Sequence, residues 1–244
     1  MFQWIPIHPA GAAETFPWRP TGLQTAPGEL DGFIEPYLVI NLGSEVTGVL
    51  ASVRVDRGDF VKKGQVLAVL DSRVERATTD LNQVRVDFST REHERTRGLF
   101  GKGIIPDMEM DEARTGMAIA QAELRQAQAI LARRTITSPM DGFVVERFLS
   151  PGEQVGDQPI MRLAQLDPLN VEVIVPVSMI GTIKVGQKAE VRPEEPVSGK
   201  YTGTVKIVDR VVDAASGTFG VRIELANRQY TLPAGLKCRV RFLK

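Results

Sequence analysis

Two stretches of this sequence match at a constant offset of 94 residues, and a long segment of different texture stands between them. Gly48 matches Gly142, Gly58 matches Gly152 and Val61 matches Val155. Asp59 pairs with Glu153, Val66 with Ile160, Leu67 with Met161 and Val69 with Leu163. Each stretch holds short apolar runs closed by a turn signal, Asp56-Arg57-Gly58 in the first and Ser150-Pro151-Gly152 in the second. Neither half can bury its apolar face alone, so the two are expected to close on each other as one flattened β unit. Whatever lies between them is then an excursion that leaves and returns at the tip of that unit.

The intervening segment, Val74 to Arg134, contains one proline, Pro106, and is rich in Ala, Arg, Glu and Gln. Val74, Ala77, Leu81, Val84, Phe88, Arg91 and Arg95 step by three and four residues. Met110, Ala113, Met117, Ala120, Leu124, Ala127, Leu131 and Arg134 do the same. That spacing predicts one seam on each of two helices. Gly98, Gly101, Gly103 and Pro106 break the pattern between them, as helix stop and start signals do. The simplest arrangement is an antiparallel hairpin projecting on the order of 37 Å at 1.5 Å per residue. Ala and Arg occupy many seam positions, so the hairpin is marginal alone and is expected to be flexible or completed by partners.

Residues 1 to 33 are punctuated by proline and glycine and read as loop, with a short strand near Phe33. Phe2, Trp4, Ile5 and Ile7 are interrupted by Pro6 and Pro9, and no Lys or Arg precedes them, so no competent signal peptide is evident. Ala10 to Ala13 is similar to a cleavage region, which leaves a truncated leader and a disordered start as the two readings. Strand candidates before the helices are Tyr37–Ile40, Val46–Val55 and Gln65–Leu70; after them, Gly142–Val145 and Gln154–Leu163. From Leu169 onward, Asn170–Val175, Lys188–Arg192, Gly203–Ile207, Gly220–Leu225 and Cys238–Phe242 approach period 2. Strands of that kind, separated by Gly186, Gly199, Gly217 and Gly235, predict a small antiparallel barrel or sandwich.

The fold class expected is therefore mainly β with an inserted α-helical hairpin. Its parts are an N-terminal extension at 1–33, a first half-sandwich at 34–72, the hairpin at 73–135, a second half-sandwich at 136–168 and a barrel at 169–244. Lys+Arg and Asp+Glu are both 30, so no basic excess recruits nucleic acid. No run of 18 apolar residues predicts a membrane-spanning helix. The one cysteine, Cys238, lies in an apolar strand pattern and is expected to be a buried, inert thiol. No Gly-x-Ser-x-Gly elbow, P-loop or His-Glu-x-x-His stands in the sequence, and no enzymatic role is expected.

The run Gly48-Val49-Leu50, then Val55-Asp56-Arg57-Gly58-Asp59-Phe60-Val61-Lys62-Lys63-Gly64-Gln65-Val66-Leu67-Ala68-Val69-Leu70-Asp71, resembles the first half-motif of the biotinyl/lipoyl domain in bacterial adaptor proteins. Ile136-Thr137-Ser138-Pro139-Met140-Asp141-Gly142-Phe143-Val144 and Pro151-Gly152-Glu153-Gln154-Val155 are similar to the second half-motif. Gly203-Thr204-Val205, Gly220-Val221-Arg222 and Leu232-Pro233-Ala234-Gly235-Leu236 resemble the family's β-barrel. The resemblance is to periplasmic adaptors, or membrane fusion proteins, of resistance–nodulation–division efflux pumps. It implies a lipoyl-like β-sandwich, an antiparallel coiled-coil hairpin and a small antiparallel β-barrel. It also implies a place in the periplasm against the inner membrane, and a transporter and an outer-membrane channel as partners. Self-association into a ring of six is a further implication. An adaptor for an ABC-type exporter or type I secretion system is the alternative. Many relatives carry a further membrane-proximal domain, whose counterpart is not found before Lys244.

In that family the hairpin tip meets the channel through an Arg, a Leu four residues on and a Ser seven beyond. Arg95 and Leu99 fall on the first two positions; the third is Pro106, a departure from the pattern. Arg offers fixed donors and Leu an apolar knob. A lipoyl or biotinyl carrier needs an exposed Lys between the half-motifs, and no Met-Lys-Met or Asp-Lys-Ala occurs, so no cofactor is expected. A metal role would draw on Met108, Met110 and Met117, which do not all share one helix face, and on His8 and His93, far apart in sequence. They are expected to be structural, Met being a common core filler.

Overall fold

The computed structural model describes residues 29–243; the readings for the first 28 residues lie outside it. In chain order the elements are β1 (Leu30–Leu42), β2 (Gly48–Val53), β3 (Phe60–Val61), β4 (Val66–Leu70), α1 (Arg73–Phe100), α2 (Asp107–Ala132), β5 (Thr135–Thr137), β6 (Gly142–Arg147), β7 (Gln154–Val155), β8 (Met161–Pro176), β9 (Lys188–Pro193), β10 (Tyr201–Val208), β11 (Thr218–Leu225) and β12 (Lys237–Phe242).

The repeat folds as a pair of exchanged halves. β2 pairs with β7, placing Gly48 opposite Val155, and β3 pairs with β6, placing Val61 opposite Gly142. The hydrogen bonds repeat in the same way. Gly152 N–H donates to Leu50 O at 2.7 Å and Gly58 N–H to Val144 O at 2.8 Å; Leu50 N–H reaches Glu153 O, and Val144 N–H reaches Asp59 O, both at 2.9 Å. Gly58 and Gly152 hold φ of 94° and 93°, the left-handed turn that glycine adopts without strain. Asp59 and Glu153 both turn back to accept a backbone N–H three residues earlier, from Asp56 and Ser150, each at 2.7 Å. Leu50, Val61, Leu67, Leu70, Val155, Ile160, Met161 and Leu163 fill the space between the halves.

The C-terminal strands close into a six-stranded barrel in the order β1-β12-β9-β10-β11-β8, with β1 and β8 pairing to shut it. Its core holds Ile34, Leu169, Val171, Val191, Val205, Val221, Ile223 and Val240. β1 and β8 belong to both units. Leu30 of β1 pairs with Val240 of the barrel, while Leu42, twelve residues on, pairs with Met161 in the sandwich. The short strand expected near Phe33 is part of β1, which begins at Leu30 within the stretch otherwise expected as loop. Pro36 and Pro168 lie inside the two long strands, where the β1–β8 register shifts between Pro36 and Leu38.

The hairpin exists, with α1 running on through Gly98 to Phe100, two residues past the first expected stop. Its seam corrects the sequence reading on one side only. α2 turns Met117, Ala120, Leu124, Ala127 and Leu131 inward as expected, Ala120 and Ala127 being fully buried. The expected α1 seam faces solvent instead: Val74, Leu81, Val84 and Phe88 are 55% to 74% exposed. Glu75, Thr79, Asn82, Val86 and His93 are the more protected positions, with Asn82 the one buried residue of α1. Ala-rich α2 allows close approach, and small or polar α1 residues fill the narrow gap, leaving the large apolar ones outside.

Cys238 is buried in the barrel as expected. Burial, then Glu194 and Asp31, push its thiol up from 9.0 to about 12. The unfolded chain ionises this thiol near pH 9 while the folded chain keeps the proton. Stability should thus fall as pH rises from 9 toward 12, by on the order of 1 kcal/mol per unit. Denaturant midpoints of the wild type against Cys238→Ala across that window check it: the extra slope belongs to the wild type.

Candidate docking site

The hairpin is held to the sandwich by a small polar seat. Arg134, just past α2, donates from one guanidinium nitrogen to Thr47 O at 2.8 Å and from another to Glu75 of α1 at 2.6 Å. Both side chains of that pair are largely buried, which makes it worth more than a surface pair. The Arg134 carbonyl accepts Leu70 N–H at 2.8 Å, and Asp71 N–H donates to Val49 O at 2.8 Å. Both strands that feed the hairpin are thereby tied to β2, and the base of the arm has a fixed direction. Sequence reading placed Arg134 only at the end of the α2 seam and missed Glu75. A cation that follows the last seam leucine, Leu131, was the available signal.

Gly48 makes room for that seat. A Cβ there would lie 2.6 Å from the Arg134 guanidinium. Gly48→Ala is expected to displace Arg134 from Thr47 and cost about 1–2 kcal/mol, less than a clash with backbone, because a side-chain end can move. Amide exchange at Leu70 and Asp71 should accelerate while the barrel core keeps its protection.

At the other end, α1 stops where Gly101 N–H bonds Arg97 O and the Lys102 and Ile104 N–H groups both bond Leu99 O. Gly103 takes φ of 72° to turn the chain, and Pro106 precedes α2. Arg95 is exposed and makes no ion pair among the described residues; Leu99, on the same face one turn later, is half-buried; Pro106 is exposed. All three sit at or near the tip. Exposed Arg97, Lys102, Ile104 and Met108 stand near them, with exposed Asp107 and Glu109 in the first turn of α2, so the tip carries both signs of charge beside apolar side chains. Met108, expected as core filler, is 70% exposed, whereas Met110 and Met117 are half-buried.

A second unforeseen cluster lies between sandwich and barrel. Phe60 and Phe143 meet edge-to-face with centroids 5.2 Å apart, and Tyr230 from the β11–β12 connection packs on both, at 5.5 and 5.1 Å. Burial, then Asp167 and Asp141, raise the phenol's pKa. Asn227 holds this loop. Its amide donates to Leu166 O and Leu232 O, and its side-chain oxygen accepts Leu232 N–H.

The barrel and the hairpin leave the sandwich at opposite ends, because β1 begins in the barrel and ends at Leu42, beside Ala132 and Thr135 at the hairpin base. This is an arm on a two-part body, with no helix long and apolar enough to cross a membrane among the described residues.

Known proteins share this arrangement. A family model for the CzcB-like barrel-sandwich hybrid domain matches residues 39–165, and one for the CusB-like β-barrel domain matches residues 169–244. The cobalt-zinc-cadmium resistance protein CzcB of Cupriavidus metallidurans is 28% identical over 207 residues, covering 78% of this chain and 40% of that protein. The macrolide export protein MacA of Yersinia pestis is 26% identical, covering 80% and 62%. This chain spans about half the length of the first curated relatives it matches. Among solved structures, a MacA-MexA chimera carrying the Pseudomonas aeruginosa MexA α-hairpin superposes with a TM-score of 0.75 at 22% identity, covering 88% of this chain and 79% of that one. The membrane fusion protein Spr0693 of Streptococcus pneumoniae R6 gives 0.68 at 21%, covering 88% and 98%. Matched over more than half its length by one family model and through its barrel by a second, the chain belongs to the membrane fusion proteins with a CzcB-like barrel-sandwich hybrid, a family of periplasmic adaptors that includes those of resistance–nodulation–division pumps.

Proposed function

We propose that this chain links an inner-membrane efflux transporter to an outer-membrane channel, coupling the two mechanically and catalysing nothing. One observation carries the reading: the exchanged halves close into a single body from which hairpin and barrel depart at opposite ends. Such a body has two separated docking ends. The barrel end faces the transporter, and the tip, with Arg95, Leu99 and Pro106, faces the channel. Several copies stand side by side, six in the ring that the family resemblance implies, in the periplasm at the inner membrane.

Leu99→Cys should form a disulfide with a cysteine placed on the periplasmic end of the cognate channel in vivo, and Arg95→Asp should weaken that trapping at least about tenfold. No cross-link to any channel of the host would sink the proposal. Similarity to MacA favours a second reading, an adaptor of an ABC-type exporter with the same architecture. Co-purification of the chain with the transporter encoded beside it separates the two.

A further inference from the structure

The outer face of the β2–β4 pair runs up to the first turn of α1 and leaves a groove of about 670 Å³ there. Val49, Ala51, Val66 and Val69 floor it, while Arg54, Arg73 and Arg76 stand at its rim. Asp71 N–H bonds Val49 O, so the apolar floor begins directly beside the helix end. Ser72 occupies the N-cap position, where a serine hydroxyl ordinarily accepts an N–H two or three residues on. Its φ of −130° and ψ of 21° are off that geometry, and its side chain caps nothing. Ser72 is only 5% exposed and lines the groove, yet its hydroxyl makes no hydrogen bond among the described residues. The Arg73 N–H is taken by the Asp71 carboxylate at 3.2 Å, and the Arg76 N–H by Ser72 O at 2.9 Å. The Val74 and Glu75 N–H groups between them have no partner among the described residues, because a helix offers its first turn none. One buried hydroxyl and two backbone N–H groups are thus left unpaired at the positive end of the α1 dipole. Exposed Arg54 and Arg76 add charge and make no ion pair among the described residues. Asp71 is the one carboxylate in the lining, and Arg73 neutralises it at 2.7 Å; the Glu75 carboxylate is held by Arg134.

We propose that this groove binds a small soluble amphiphile with a phosphate head. The phosphate oxygens accept from the Ser72 hydroxyl and from the Val74 and Glu75 N–H groups, with Arg76 beside them. The apolar body lies on Val49, Ala51 and Val69. Three donors facing one point match the several acceptor oxygens of a phosphate, and a helix N-terminus favours its charge. Phosphate by itself leaves the valine floor wet, so the floor selects for an apolar body. A groove of this size, set between helix base and sheet, takes one small molecule and not a bilayer surface. Occupancy bears on the arm, because Glu75, whose side chain holds Arg134, is then held by its N–H as well. The site goes beyond the adaptor reading and does not need it.

Hexyl phosphate titrated into the full chain should shift the amide resonances of Val74 and Glu75. It should bind at least about tenfold more tightly than inorganic phosphate, the gain from covering a few methylenes. Hexanol at the same concentration should leave those two amides in place. Ser72→Ala and Arg76→Gln should each weaken hexyl phosphate about tenfold while keeping the wild-type thermal midpoint, since neither side chain bonds anything in the free protein. Phosphatidylglycerol vesicles should not displace it. Absence of hexyl phosphate binding overturns the proposal, and so does binding that either variant leaves intact. Inorganic phosphate binding equally tightly removes the amphiphile, and displacement by the vesicles assigns the groove to a membrane lipid; each of these also overturns it. Failure of Leu99→Cys to reach a channel changes none of these readouts, so the two readings fall separately.

Discussion

Gly142→Val should unfold most of this protein at ordinary temperature, at a cost of about 4 kcal/mol or more. A Cβ at this position would stand 2.5 Å from Ala164 O and 3.1 Å from Ala164 C. Both atoms are backbone of β8, so no rotamer change relieves the clash. β8 cannot retreat either, because the same strand pairs with β1 and β11 in the barrel. The damage therefore spreads through both units. Gly156→Ala is the control, with nothing within 4 Å of its Cβ position. Urea titration by circular dichroism reads both: the Gly156 variant should keep the wild-type midpoint, and a Gly142 variant within 1 kcal/mol of wild type would refute the shared-strand account.

Asn227→Ala should cost about 3 kcal/mol and loosen the junction between sandwich and barrel. The side chain is buried and serves two carbonyls and one N–H at 2.9 to 3.1 Å. Alanine leaves those groups without partners in a place water does not reach, which costs more than a lost surface bond. Its own backbone N–H, held by Asp167 at 2.8 Å, remains and keeps the loop from leaving altogether. Tyr230, whose φ of 52° is unusual for a non-glycine residue, depends on this anchorage to reach Phe60 and Phe143. Ring resonances of Tyr230 should lose their shifts from the two phenylalanines in the variant. Asn227→Asp keeps an acceptor for Leu232 N–H but sets a buried carboxylate against the Leu166 and Leu232 carbonyls, and should cost at least as much as alanine at neutral pH.

The family was readable because its marks are local. Gly58 and Gly152 serve left-handed turns, a local need that shows in a single sequence; Gly48 and Gly142, required by distant Arg134 and Ala164, showed because the repeat sets them at the same offset. The helices were readable from composition and from the breaks at Gly101, Gly103 and Pro106. The α1 seam was misread because periodicity locates an apolar stripe and says nothing of which neighbour it meets. Val74, Leu81, Val84 and Phe88 do share a face; that face is left to solvent rather than packed into α2. The roles of Arg134, Glu75 and Tyr230 escaped notice for a related reason: each acts on residues far along the chain, from Thr47 to Phe143, whereas Asn227 joins Leu232, five residues on, to distant Leu166.

By itself the sequence determined a repeated β unit, an inserted pair of helices and a following barrel, since turn glycines, helix breaks and period-2 strands are written in neighbouring residues. Tertiary structure alone decided that β1 and β8 thread both units, that Arg134 aims the arm, and that the arm's apolar face lies outward. Those outcomes depend on which surfaces come together when the chain closes, and contact between distant segments leaves no local pattern to read.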